Sequence, residues 1–175
     1  FEDKSTKEYI LFVGSYFFAN VEGIKWYIEN VLPQINYKLK VVGSGMSKLE
    51  SSTNNPLVEF IDFVEDLSEL YQNALYVINP VNFGSGMKTK TIEAIRYGKV
   101  ILGSQECFIG VEKSLLKKIG FLCVKKDEYI NIHRKIIKNK IQLNSQKSII
   151  ETFNENYSDK VVFESFNKVL KKHLL

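Results

Sequence analysis

One short stretch concentrates most of the chemistry this sequence can offer: Asn82-Phe83-Gly84-Ser85-Gly86-Met87-Lys88-Thr89-Lys90, followed three residues on by Glu93. Gly84 and Gly86 carry no Cβ, so the backbone there can approach a ligand closely. The stretch feeds into an amphipathic segment from about Lys88 to Tyr97. The first turn of such a helix presents unpaired N–H groups and about half a positive elementary charge. Lys88 and Lys90 add two ammonium groups beside it. The combination suits a diphosphate, with each well-formed charge-assisted contact contributing about 1.5–3 kcal/mol. Three residues separate Lys90 from Glu93, which puts both on one side of a helix. A carboxylate there can accept two hydrogen bonds from vicinal hydroxyls such as those of a ribose. The plainer alternative is a glycine turn ahead of a helix, with Lys90–Glu93 as a surface ion pair contributing under ~1 kcal/mol. The loop is neither a GxGxxG nor a GxxxxGK[ST] motif, which disfavours a dehydrogenase or a P-loop NTPase.

The elements that must position this loop alternate along the chain. Short apolar runs at Tyr9–Gly14, Leu39–Gly43, Leu57–Val64, Leu75–Val81, Lys99–Ser104 and Phe121–Lys125 read as six strands. Between them lie helical patterns. The first is capped by Asn20 and carries Ile24, Tyr27, Ile28, Val31, Leu32 and Ile35 on one face. A short helix, Leu67–Ala74, opens on a capping-box-like Asp66 and Glu69. Gly98 ends the helix after the glycine loop, and Glu112–Ile119 precedes Gly120. The tail reads as three helices: Asp127–Ile141, Ser145–Glu155 and Ser158–Leu174, the last capped by Ser158. Near-continuous apolar strands separated by helices predict a parallel sheet covered on both faces, a Rossmann-like doubly wound α/β domain with a helical C-terminal tail. Ligands of such sheets sit beyond the carboxyl ends of the strands, where the winding reverses. Gly14-Ser15, Gly43-Ser44-Gly45 and Glu65-Asp66 therefore join the glycine loop as positions to inspect.

The 175 residues amount to a single domain, with no internal repeat or low-complexity tract. Cys107 and Cys123 form no CxxC, and with only two His they fit neither a zinc site nor a disulfide framework; they read as buried thiols of a reducing cytoplasm. No apolar run approaches the ~20 residues of a membrane span. The opening Phe-Glu-Asp-Lys suggests a segment of a longer protein. Residues 1–111 hold ten Lys/Arg against thirteen Asp/Glu, and residues 112–175 hold fourteen against seven. The basic C-terminal region could meet a phosphate-rich partner or the inner face of a membrane, or simply form solvated helix faces. Aromatic and basic residues do not interleave as single-stranded nucleic acid requires, so no nucleic-acid partner is expected.

The run FVGSYFFANVEGIKWYIENVLPQI, then KLKVVGSG, then VEFIDFVEDLSELYQNALYVINPVNFGSGMKTKTIEAIRYGKVILGS, resembles the C-terminal, donor-binding domain of family 4 glycosyltransferases. Those enzymes have the GT-B fold, two Rossmann-like domains facing across a cleft. The resemblance implies transfer of a hexosyl group, with retention at the anomeric carbon, from a nucleoside-diphosphate sugar to a polysaccharide or glycolipid acceptor. It implies no metal and no other cofactor, and it leaves the catalytic residues in an N-terminal domain absent from this chain. Backbone N–H groups from Gly84, Ser85, Gly86, Met87, Lys88 and Thr89 would face the diphosphate, Lys88 and Lys90 would neutralise it, and Glu93 would hold the ribose as the second Glu of an E-x7-E motif. Phe63 and Val64 would lie near the base, with Gly14 and Ser15 on the opposite side of the crevice. The sequence departs from the pattern at Ser85, where the first Glu should stand, at Ser15, where an Arg is usual, and at Asp62, which replaces a Gly and could cap a turn. Two alternatives stay open: a GT-B-like sugar-nucleotide epimerase, and a non-enzymatic α/β binding module. A receiver module would need an acidic cluster after the first strand, and Gly14-Ser15 offers none.

Overall fold

A computed structural model describes residues 9–84 and 86–174, with side chains through Lys171. Ser85 lies outside the described residues. Six strands form one sheet: β1 (Tyr9–Val13), β2 (Leu39–Val42), β3 (Val58–Ile61), β4 (Ala74–Asn79), β5 (Ile101–Gly103) and β6 (Gly120–Leu122). Every pairing is parallel, in the order β3-β2-β1-β4-β5-β6. The predicted doubly wound α/β class is therefore the observed one. β1 and β4 are neighbours at the centre, and the winding reverses between them.

The helices are α1 (Phe18–Asn30), α2 (Leu32–Ile35), α3 (Glu50–Thr53), α4 (Ser68–Asn73), α5 (Thr89–Arg96), α6 (Lys113–Ile119), α7 (Lys126–Ile137), α8 (Gln146–Asn156) and α9 (Asp159–Leu174). Right-handed crossovers send the connections on either side of the reversal to opposite faces of the sheet. Central strands are buried on both faces: Ile10, Leu11 and Phe12 of β1 and Tyr76 and Ile78 of β4 are inaccessible to solvent. The tail wraps both faces, α7 packing on α2 and α8 on α5 and α6.

Several boundaries differ from the predicted ones for identifiable reasons. The single helix expected to reach Ile35 breaks at Val31, because Pro33 at the start of α2 has no N–H to continue the ladder. Its start is also earlier, at Phe18, and Phe17 at the cap position makes no side-chain bond; Asn20 serves elsewhere. Asp66 does not form a capping box with Glu69. Its Oδ1 instead accepts from the N–H (2.8 Å) and hydroxyl (2.7 Å) of Ser68. The sixth strand ends at Leu122, since Glu128 Oε2 captures the N–H of Val124 and of Lys125 to open α7. α7 stops at Ile137, with Asn139 in the left-handed region at φ 52. Ser145, expected as the first residue of its helix, instead caps α8, accepting from Ser148 N–H at 3.2 Å. The Ser158 hydroxyl turns back to the Asn154 carbonyl, 2.8 Å, instead of capping α9.

Candidate functional site

β1 and β4 deliver their loops side by side, and α5 begins between them. Gly14 N–H donates to Val42 O at 2.8 Å, tying the β1 loop to the end of β2. Gly43 at φ 150 allows this closeness, for a Cβ there would lie 2.2 Å from Gly14 O. Asp62, at the end of β3, accepts from the N–H (2.8 Å) and hydroxyl (2.6 Å) of Ser47. Those two bonds hold its carboxyl below the ordinary carboxylate range. Asp62 thus caps the 3-10 turn Met46–Leu49, the role its position suggested.

α5 starts at Thr89, behind Lys88 in extended conformation with no side-chain cap. The first bonds of the turn run from Thr91 N–H (2.9 Å) and Ile92 N–H (3.4 Å) to Lys88 O. By helix geometry the N–H groups of Thr89 and Lys90 have no carbonyl within the helix to reach. Gly86, at φ 67, would bring an added Cβ within 4 Å of nothing, so the mouth of the helix is open on that side. Below it, Thr91 is buried and donates to Cys107 O at 2.8 Å, with Asn79 Nδ2 reaching the Thr91 hydroxyl at 3.3 Å. This network fixes the first turn to the ends of β4 and β5. Burial pushes the Cys107 thiol up to about 12, which keeps it protonated.

The two lysines differ. Lys88 Nζ donates to Gly86 O at 3.1 Å and lies 3.6 Å from Glu106 Oε2, so its charge is partly met. Lys90 turns inward. Its Nζ sits 4.7 Å above the Phe12 ring and donates to Asn20 Oδ1. Among the described residues no carboxylate comes within ion-pair distance of it. Burial lowers its pKa to about 8, partly opposed by Cys107, with the nearby Lys88 charge the smallest effect. Gly14 makes room for this ammonium, since a Cβ at Gly14 would lie 2.8 Å from Lys90 Nζ.

Glu93 does not follow Lys90 to the same neighbours, although the spacing puts both on one side of the helix. Its Oε2 accepts from Tyr71 Oη at 3.2 Å, toward α4, while Lys90 points toward α1. Three residues leave two side chains only ~60° apart around a helix, yet these two follow different neighbours. Nor do they form the surface ion pair of the plainer alternative. Met87, Thr89 and Glu93 line a cavity of about 500 Å³ that runs to Phe153, Tyr157 and Val162 at the α8–α9 corner.

The structure places Gly14, Ser15, Gly84, Gly86, Met87, Lys88, Thr89 and Lys90 in the segments that follow β1 and β4 and at the start of α5, with Glu93 one turn further along. Phe63 stands 79% exposed beyond β3, and Val64 is half-buried beside it. No described contact joins either to the Lys90 cluster. Asn20 is the residue that sequence reasoning misplaced. A cap position before an apolar run explained it well enough, and its partner lies 70 positions away. Phe17, Phe18 and Phe83 are exposed in the segments after β1 and β4, Phe18 and Phe83 with ring centroids 5.2 Å apart. Among the described residues no three His, Cys, Asp or Glu side chains converge, and no helix is long and apolar enough to cross a membrane.

Residues 7–138 match the family described as "Glycosyl transferases group 1". Similar folds occur in sucrose-phosphate synthase from Thermosynechococcus elongatus (TM-score 0.73, 16% identity, 94% of this chain and 45% of that one). Anabaena HepE in complex with UDP is similar too (TM-score 0.73, 14% identity, 95% and 49%). So is TarM (TM-score 0.71, 14% identity, 92% and 35%). A curated relative, an "Uncharacterized 44.6 kDa protein in cps region" of Klebsiella pneumoniae, is 26% identical over 102 residues, 50% of this chain and 26% of that protein. The chain thus spans about a quarter to a half of the length of these relatives.

Proposed function

The chain belongs to the glycosyl transferases group 1 family, and from that premise we propose that it is the donor-binding half of a sugar transferase. Its ligand is a nucleoside-diphosphate sugar, with the diphosphate at the mouth of α5. The observation that carries this reading is Lys90: an ammonium held at a helix N-terminus with a neutral partner and, among the described residues, no carboxylate within ion-pair distance. An anion is the complement such a place lacks. As the glycosidic bond breaks, negative charge grows on the departing diphosphate. Groups fixed where that charge develops lower the barrier, whereas groups that bind only the ground state do not. The N–H groups of the Gly84–Thr89 loop, Lys88 and Lys90 supply that field, and we infer that no metal ion is needed.

Glu93 holds the ribose in this reading, and its bond from Tyr71 keeps the carboxylate in one orientation. Phe63 and Val64 border the base. The acceptor, a polysaccharide or glycolipid, and the remaining catalytic groups belong to a second, N-terminal domain across the crevice, and transfer proceeds with retention. The chain works at the cytoplasmic side, with the basic region 112–175 toward the membrane surface. Addition of UDP or GDP raises the Tm of the chain and perturbs amides within residues 84–93. Absence of any response to either diphosphate at millimolar concentration contradicts the reading.

A further inference from the structure

We propose that Asn20 is a positioning residue that holds the Lys90 ammonium at the mouth of α5 while leaving its charge available to an anion. The inference rests on the diphosphate reading above and adds a residue to it. Both polar atoms of the Asn20 amide are committed. Nδ2 donates to Ser15 O at 2.8 Å, and Oδ1 accepts from Lys90 Nζ. The orientation of the amide is dictated by its neighbours, because a carbonyl can only accept and an ammonium can only donate. Ser15 O thus sets the nitrogen, and the oxygen is left facing Lys90.

The type of residue matters as much as its place. A carboxylate at position 20 would meet Lys90 as an ion pair and cancel the charge an incoming phosphate needs. An apolar side chain would leave the half-buried ammonium without its acceptor, a costly state. The neutral amide does neither. The other groups facing Lys90 are consistent with this. On β1 there is the Phe12 ring, and Gly14 contributes only space. On the 3-10 turn Glu106–Phe108, the Cys107 thiol is held protonated and Glu106 is engaged by Lys88. On α5 itself, Lys88 repels and Glu93 is turned toward Tyr71. Asn20 is the described hydrogen-bond partner of Lys90.

The test uses the whole 175-residue chain, UDP and uridine as probes, and 13Cε-lysine NMR to follow the titration of Lys90, assigned by its loss in Lys90→Arg. Asn20→Asp and Asn20→Leu are compared with the wild type, with Tm recorded for each. Both variants weaken UDP by roughly tenfold or more and leave uridine within about twofold. They move the Lys90 midpoint in opposite directions from its wild-type value, Asp upward and Leu downward. A purely structural role cannot give weaker UDP binding together with shifts of opposite sign. UDP affinity within twofold of wild type in both variants, a loss shared equally by uridine, or a midpoint unmoved in both overturns the proposal. The midpoint is read without ligand, so a wild-type chain that binds no UDP would remove the diphosphate reading, with the coupling of Asn20 to Lys90 still measured on its own.

Discussion

At the scale of the residue, the site turns on where one ammonium sits and what it faces. Lys90 has a pKa of about 8 in the free chain, below the ordinary lysine value, so it is charged at neutral pH and titrates just above. A bound diphosphate favours the charged form, so its affinity is highest below pH 8 and falls as pH rises through that value. The limit is about tenfold per pH unit. Isothermal titration of UDP between about pH 7 and pH 9 shows this decline in the wild type. Lys90→Arg, which keeps its charge throughout, shows a flatter profile, and equal profiles would remove Lys90 from the phosphates. Gly14→Ala is predicted to weaken UDP more than it lowers Tm, because its Cβ would come within 2.8 Å of Lys90 Nζ, the movable end of a side chain. A large Tm loss with unchanged UDP binding would place that contact outside the site.

Among the elements, what could be read in advance is what short-range pattern controls. β1, β2 and β4 stood out as apolar runs because both faces of a central strand are buried, and α5 stood out as an amphipathic run ending at Gly98, whose φ of 71 suits the cap. The misread boundaries were decided by single groups acting against that pattern: Pro33 in the first helix, and Glu128 drawing Val124 and Lys125 out of β6. The contacts that build the site were the least legible. Asn20–Lys90 and Tyr71–Glu93 join separate elements, and nothing in local spacing distinguishes them from a cap and a surface pair. α7 carries a testable consequence. Its His133 is buried, with Nδ1 2.7 Å from Tyr76 Oη, and burial lowers its pKa to about 4. The unfolded chain takes up this proton near pH 6.5 and the folded chain only near 4, so stability is full above about 6.5 and declines as pH falls toward 4. Denaturant titrations across that window show the loss, and His133→Gln reduces its slope; an unchanged slope would mean other groups dominate. Ser145→Ala costs about 1 kcal/mol through loss of the α8 cap, measurable in the same experiment.

For the whole molecule, the strand order places the reversal between β1 and β4, and every group of the crevice is carried by a loop or helix start at that edge. Rossmann-like sheets bind ligands there. In the proposed reading, exposed Phe17, Phe18 and Phe83 are the surface that a facing domain would cover. With relatives about two to three times its length, the chain alone is predicted to bind donor and to transfer no sugar, as measured by release of UDP from a UDP-hexose with and without acceptor. Turnover by the isolated chain would move the catalytic groups into it. The central claim is that the mouth of α5 holds a diphosphate, and amide NMR of the chain titrated with UDP tests it most directly. The account predicts that the largest shifts fall on Gly14, Gly86, Thr89 and Lys90, and that uridine alone leaves those four nearly unmoved. Shifts centred instead on residues 56–60 or 108–122, with residues 84–93 silent, would contradict it.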